Sequence, residues 1–258
     1  KRDPDVILAL PDKHEVKVYV QMTAEQTALY EDTRQSLFDR YVGGSEKLQM
    51  GAVLQAITKY KQICDHPALV APARLNPTTN DAQLSNKLLR LLEMVEEIHE
   101  RGERSLIFTQ YVEMGKIIVR ELKRRLPSRD ILFFDGSASK SQRERMIANF
   151  QDVQSNVPVL VLMIRAGGVG INLTAANHVF HFDRWWNPAV ENQATDRVYR
   201  IGQTKDVTVY KFVTTGTIEE KIDELLLTKS ELSEFVLQVA DEELLRNLTV
   251  KDWERMLF

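Results

Sequence analysis

From residue 84 onward the chain alternates between short apolar runs and longer stretches of helical period, and that alternation leaves few folds open. The runs are Leu106–Phe108, Ile131–Phe134, Val159–Ile164, His178–Phe182 and Val207–Val213. They have the length of strands, and most lack a regular polar face, so burial on both sides is expected. Between them lie segments with apolar residues at helical spacing. Ser85–Arg101 places Leu88, Leu91, Leu92, Val95 and Ile98 on one stripe. Tyr111–Leu126 follows and is stopped by Pro127. Ser139-Lys-Ser-Gln142 is a capping box that opens a helix to Phe150, and Ala189–Tyr199 is a further predicted helix. Strands alternating with helices predict an α/β fold, a parallel sheet flanked by helices. Ligands of such sheets bind beyond the carboxyl ends of the strands. That rule puts Thr109-Gln110, Asp135-Gly136, Arg165–Gly170 and Asp183–Pro188 on one working edge.

The flanks read differently. Val16–Val20 alternates like a short strand, and Thr23-Ala-Glu-Gln26 is a capping box opening a helix to about Tyr41. Gly43-Gly44-Ser45 breaks it, and a second helix is expected from Lys47 to Ile63. Pro67, Pro72 and Pro77 mark a connecting loop. Thr217-Ile-Glu-Glu220 opens a long last helix with Ile218, Ile222, Leu225 and Leu226 on its apolar stripe. The expected division is a helical extension over 1–83, the sheet domain over 84–216 and bracing helices over 217–258. No stretch approaches the roughly 20 apolar residues of a membrane span. The opening Lys1-Arg2-Asp3-Pro4-Asp5 is not followed by the apolar core of a signal peptide. Cys64 is the single cysteine, so an intrachain disulfide is excluded, and a small buried apolar role is expected for it.

Net charge is −3, which by itself disfavours binding to a polyanion. The charge is unevenly spread, however. Lys116, Arg120, Lys123, Arg124, Arg125, Arg129, Lys140, Arg143 and Arg145 cluster upstream, while acids dominate from Glu219 to Glu243. Any surface for nucleic acid must be local.

The segment richest in chemistry is Gln193-Ala-Thr-Asp196-Arg197-Val-Tyr-Arg200-Ile-Gly202-Gln203. On a continuous helix Gln193, Asp196, Arg197 and Arg200 share a face, bringing two guanidiniums together. Arginine suits phosphate because its planar fork donates several hydrogen bonds and keeps its charge. The same spacing also fits an Asp196–Arg200 ion pair on a solvated face. Upstream, Arg165-Ala-Gly167-Gly168-Val-Gly170 can turn tightly and present successive N–H groups to an anion. His178 and His181 on one strand, or His66 near Cys64, do not make a metal set, so no metal site is expected.

Together these segments resemble the Swi/Snf branch of helicase superfamily two. Gln193–Gln203 is similar to its motif VI, and Arg165-Ala-Gly-Gly-Val-Gly-Ile-Asn-Leu173 to motif V. His181-Phe-Asp-Arg-Trp-Trp-Asn-Pro188 is a further hallmark stretch, and Ser105-Leu-Ile-Phe-Thr-Gln110 resembles motif IV. Phe134-Asp-Gly136 resembles the motif between IV and V. Leu10–Glu15 and Ile63-Cys-Asp-His-Pro67 resemble the segments leading into this lobe. The resemblance runs from about residue 10 to 240 and is closest to prokaryotic members. It implies the second, RecA-like lobe of a motor related to P-loop NTPases. It also implies that Arg197 and Arg200 face the γ-phosphate of ATP held on the other lobe, with Gln193, Asp196, Gln203, Gly168 and Gly170 around that cleft. Thr109, Gln110, Arg165, Gly167 and Trp186 are implied to meet DNA. Relatives usually carry small hydroxyl residues before the motif V arginine, where this chain has Met163-Ile164, which cannot hydrogen-bond a phosphate.

No Gly-x-x-x-x-Gly-Lys-Ser/Thr loop and no Asp-Glu-x-His box occurs in the chain. The β- and γ-phosphates and Mg²⁺ therefore have no cradle here. ATP and Mg²⁺ are expected to be held mainly by an N-terminal RecA-like lobe, and the chain alone is expected not to turn over ATP or carry a cofactor. The implied partners are double-stranded DNA and that first lobe. The implied setting is cytoplasmic and nucleoid-associated, or nuclear in a eukaryote, with no membrane. A strand-separating helicase of the same superfamily and a non-catalytic docking module are the rival readings. A dinucleotide enzyme would need a glycine-rich turn after the first strand, and Leu106-Ile-Phe108 is followed by Thr-Gln-Tyr-Val.

Overall fold

The computed structural model describes residues 10–43, 50–72, 81–164, 171–185 and 187–230. Its elements, in chain order, are β1 (Lys13–Val20), α1 (Ala24–Gly43), α2 (Met50–Asp65), α3 (Asn86–Glu100), β2 (Ser105–Thr109), α4 (Val112–Arg125), β3 (Ile131–Phe134), α5 (Lys140–Gln151), β4 (Val159–Met163), β5 (His178–His181), α6 (Pro188–Thr195), β6 (Val207–Thr214) and α7 (Ile218–Ser230). Short 3-10 turns at Pro67–Leu69 and Asp81–Leu84 link α2 to α3. The six strands form one sheet in the order β1-β6-β5-β2-β4-β3. The pairs β6–β5, β5–β2, β2–β4 and β4–β3 are parallel. At the edge, Val207 N–H donates to Asp12 O and Thr215 N–H to Val20 O, so β1 runs parallel to β6 as well. The expected α/β class, a parallel RecA-like sheet with flanking helices, is what the chain adopts.

The residues fall into two compact units that interleave along the chain. Of the described residues, the first comprises 10–17, 94–164, 171–181 and 191–211, the second 18–43, 50–72, 81–93, 182–185, 187–190 and 212–230. The core of the first unit is the doubly apolar strands. Leu106, Ile107, Phe108, Val159, Leu160, Val161, Leu162, Val179 and Phe180 are all buried. Met114, Ile117, Ile118 and Leu122 of α4 pack inward, and Gly115 lets that helix come close to β3. A Cβ at Gly115 would lie 2.4 Å from the Phe133 ring, so only glycine fits without displacing that ring. The capping box at α5 forms as the sequence predicts, with Ser139 accepting from Gln142 N–H and the Gln142 side chain closing on Ser139 N–H.

In the second unit α1, α2 and α7 share a cluster of Tyr30, Leu37, Ile57, Tyr60, Ile63, Cys64, Ile218 and Ile222. Tyr30 and Tyr60 stack at 4.5 Å between ring centroids, and Tyr30 Oη accepts the Ile218 N–H at 2.9 Å. Thr23 and Gln26 form the second expected capping box, 3.0 and 3.2 Å in its two directions. The Gln26 amide also reaches Ile63 O and Cys64 O, joining α1 to the end of α2. Burial pushes the Cys64 thiol well above its ordinary range, so it behaves as a small apolar residue. The third capping box is modified: Glu220 takes the Gly216 N–H, and Thr217 Oγ1 donates to Thr214 O. Among the described residues no helix is long and apolar enough to cross a membrane.

Candidate functional site

The structure corrects the motif VI helix. It was expected to run to Tyr199, but α6 ends at Thr195 and the chain continues in tight turns to Gly202. The start of α6 is conventional. Asn187 Oδ1 accepts the Ala189 N–H at 2.9 Å, and Pro188 occupies the first helical position, where a missing N–H costs nothing. At the other end, long-range contacts override the helical period. Thr195 is buried, and its Oγ1 lies 3.0 Å from His181 Nε2. Thr195 O accepts from both Val198 N–H and Tyr199 N–H, a shared bond typical of a helix that is tightening to stop. A continuing helix would give Arg197 O to the Ile201 N–H, yet Leu173 N–H takes it at 2.8 Å. Val198 meanwhile turns fully into the core.

The far end of the turn is pinned just as firmly. Gly202 has φ +102, a conformation costly for any side chain, while no atom lies within 4 Å of where its Cβ would be. The conformation, not the space, requires glycine there. Gln203 N–H donates to Arg200 O at 2.9 Å, and the Gln203 side chain is buried. Its amide nitrogen reaches Ala176 O at 2.8 Å, Thr174 O at 3.2 Å and Val198 O at 3.3 Å. Its Oε1 accepts the N–H groups of Thr204 and Lys205. Gln203 was expected beside ATP. Its polar atoms are instead occupied by this chain's own backbone, which makes it the staple of the turn.

What the staple presents is charge. Gln193, Asp196 and Arg200 are exposed and Arg197 is half-buried. Among the described residues no ion pair joins Asp196 to Arg200, and neither guanidinium has a side-chain partner. Ile201, between Arg200 and Gly202, is 74% exposed. Two guanidiniums on a backbone-pinned turn, with no side-chain partner among the described residues, are suited to a polyanionic oxygen cluster, for which arginine is the preferred donor.

The motif IV strand forms as expected, over Ser105–Thr109. Thr109 was expected to touch DNA, but it is buried, and its Oγ1 accepts the Tyr111 N–H at 3.3 Å, holding the entry to α4. Thr109 O accepts from Ile164 N–H, so β2 and β4 end side by side. Gln110 is partly exposed. Ile164 is buried, consistent with a strand end that packs rather than bonds to a ligand. Arg165, Gly167, Gly168, Gly170 and Trp186 lie outside the described residues. Trp185 is buried, at 6% exposure.

The histidines serve the fold. His181 stacks on Phe108. His178 Nε2 lies 2.8 Å from Glu103 Oε2 and its ring stacks on Tyr210. Burial raises the Glu103 carboxyl, but hydrogen bonds from His178 and Asn177 outweigh it and bring it to about 2. His66 Nδ1 accepts the Ala68 N–H and caps the turn at Pro67. Sequence reasoning missed one feature entirely, a cluster of buried ions in the second unit that includes Lys61, Asp65, Lys87, Arg184, Glu219 and Asp223. Lysines spaced along helices read as surface residues, and only their distant partners reveal otherwise.

The model for the helicase conserved C-terminal domain matches residues 86–202. The putative ATP-dependent helicase/translocase YwqA of Bacillus subtilis is 44% identical over 256 residues, 99% of this chain and 27% of the relative. The ISWI chromatin-remodeling complex ATPase ISW2 of Saccharomyces cerevisiae is 36% identical over 91% of this chain and 21% of its own length. The chain thus spans about a quarter of the length of these curated relatives. Among solved structures, the SWI2/SNF2 ATPase core of Sulfolobus solfataricus in complex with dsDNA is 39% identical with a TM-score of 0.79, covering 98% of this chain and 52% of that one. The C-terminal domain of the S. solfataricus SWI2/SNF2 ATPase is 37% identical with a TM-score of 0.76, covering 95% of this chain and 98% of that one. Because this chain and the S. solfataricus C-terminal domain match along nearly their whole lengths at 37% identity, this chain belongs to the SWI2/SNF2 family and corresponds to its C-terminal, RecA-like helicase domain.

Proposed function

We propose that this lobe is the second half of an ATP-driven translocase on double-stranded DNA. Its task is to complete an ATP site whose phosphate cradle lies on an N-terminal lobe. The observation that carries this reading is the stapled turn, which pins the backbone at Arg197 and Arg200 and leaves their guanidiniums without a side-chain partner among the described residues. Transfer of a phosphoryl group to water is catalysed mostly by positioning and by stabilising charge on the transferred oxygens. Arg200, the more exposed of the two, is the arginine finger; Arg197 supports it, and Gln193 and Asp196 border the cleft. Mg²⁺ belongs to the first lobe together with most contacts to ATP, since this sequence has no residues in the pattern that would hold it.

On the DNA side, of Thr109 and Gln110 the partly exposed Gln110 is kept as the proposed strand-end contact. Arg165, Gly167 and Trp186 are kept as proposed contacts, and Gly168 and Gly170 as the proposed link to the ATP cleft. Contacts of this kind grip phosphate and carry little sequence information, as a motor that moves along any duplex requires. The dsDNA complex of the S. solfataricus core supports DNA as the partner. In this reading residues 84–216 form the lobe, 1–83 lead into it and 217–258 brace it.

Phosphate release tests the division of labour. The chain alone is expected to show no turnover above background with ATP, Mg²⁺ and duplex DNA. Joined to its N-terminal lobe it is expected to turn over ATP, and faster with duplex. Turnover by the isolated chain would mean that the cradle has been misplaced.

A further inference from the structure

The second unit contains an ionic network that the proposed function leaves unused. Lys87 Nζ, at 1% exposure, donates to Asp65 Oδ1 at 2.9 Å and to Glu219 Oε1 and Oε2 at 2.6 and 2.8 Å. It also lies over the Phe182 ring, 5.4 Å from the centroid. Lys61, at 2% exposure, donates to the backbone carbonyl of Arg184 at 2.6 Å. The Arg184 guanidinium pairs with Asp223 of α7, both ends buried. Asp183, also buried, lies near enough for its charge to favour the Lys61 ammonium, against the lowering that burial imposes. The network thus gathers α2, the start of α3, the start of α7 and the segment after β5.

Such a network is a poor way to gain stability, because ions lose much of their hydration on burial and an apolar core of similar volume does as well or better. What it supplies is a defined place for the segment it holds. Residues 182–187 contain no helix or strand where described, yet Phe182, Asp183, Arg184 and Trp185 are all buried. A buried segment outside regular structure must find partners for its backbone polar groups. Lys61 supplies one by accepting burial of its own charge to reach Arg184 O. Asp223 holds the same residue by its side chain. Arg184 is therefore gripped from α2 through its backbone and from α7 through its guanidinium, one residue before Trp185 and two before Trp186.

We propose that Lys61 and Asp223 are positioning residues that fix Arg184, and through it the adjacent Trp185, so that the placement of Trp185 depends on α2 and α7. The consequence for DNA rests on the proposed function, in which Trp186 meets the duplex. The placement itself does not.

Two readouts keep these separate. The chain has 3 tryptophans, so Trp186→Phe with Trp253→Phe leaves Trp185 as the sole emitter. In that background Lys61→Met and Asp223→Asn are expected to move Trp185 emission to longer wavelength at temperatures where the chain is folded. A Leu91→Ala control, which removes a buried residue outside the network and lowers the Tm, is expected to leave the emission in place. In the two-lobed protein with all tryptophans present, Lys61→Met is expected to raise the duplex concentration for half-maximal ATPase by about tenfold, one contact's worth, with DNA-independent turnover unchanged. Unchanged Trp185 emission in both anchor variants, or an equal shift in Leu91→Ala, overturns the proposal. Shifted emission with unchanged duplex dependence upholds the placement and removes the DNA role of Trp186. Where Lys61→Met fails to fold, Asp223→Asn decides from the other anchor.

Discussion

Replacing Arg200 by alanine in the two-lobed protein is expected to slow duplex-stimulated phosphate release by roughly 10³-fold or more, the scale of a lost arginine finger in other nucleotide hydrolases. Duplex binding should survive, because the turn is held by Gln203, Val198 and Leu173 and not by the Arg200 side chain. Arg197→Ala should cost less, about 10²-fold, as the loss of one supporting donor. Lysine at 200 should recover little, since a point charge cannot reproduce a planar fork of donors. Rates within a few-fold of wild type for Arg200→Ala would make Arg200 structural and, if Arg197→Ala behaves alike, favour a docking module. Steady-state phosphate release at saturating duplex, with duplex affinity measured in parallel, separates these cases.

The second large effect is on stability. Lys87→Met is expected to destabilise the chain by about 3–5 kcal/mol, because Asp65 and Glu219 would lose the buried cation between them. Burial alone would lower the Lys87 ammonium, but Asp65 and Glu219 outweigh it and hold it charged. At this size the loss corresponds to a fall in Tm of roughly 10 °C. Adding Glu219→Gln should return part of the loss, since a neutral amide at 219 needs no cation while Asp65 still lacks one, although Glu219 also accepts the Thr214 N–H. A Lys87→Met variant that melts within a degree or two of wild type would mean that the network stores no such dependence. Thermal unfolding followed by circular dichroism gives the comparison.

How far the sequence alone could be read depended on whether an element's determinants are local. The runs at Ile131–Phe134 and Val159–Met163 are strands because they are apolar on both faces, and that is visible in a few adjacent letters. The Ser139–Gln142 and Thr23–Gln26 boxes lie within four residues and formed as expected. β1 was legible only from Val16, because Lys13, His14 and Glu15 sit on an exposed edge strand where polar residues are tolerated. α6 was drawn too long because helical spacing continues through Arg200, while the contacts that end the helix come from His181 and Leu173. Thr109 and Gln203 carried the right residue types for a ligand, but their polar atoms are taken by Tyr111 N–H and by the 174–205 backbone. The Lys87–Glu219 contact spans 132 positions of sequence, beyond the reach of any local pattern.

The central claim is directed movement on an intact duplex, and strand displacement tests it most directly. The two-lobed protein is given ATP, Mg²⁺ and a duplex carrying a third strand in its major groove, with a tailed duplex in a parallel reaction. The account predicts that the third strand is released only with ATP hydrolysis, that Arg200→Ala abolishes release, and that the tailed duplex stays paired. Unwinding of the tailed duplex, or failure to release the third strand while ATP is hydrolysed, would contradict it.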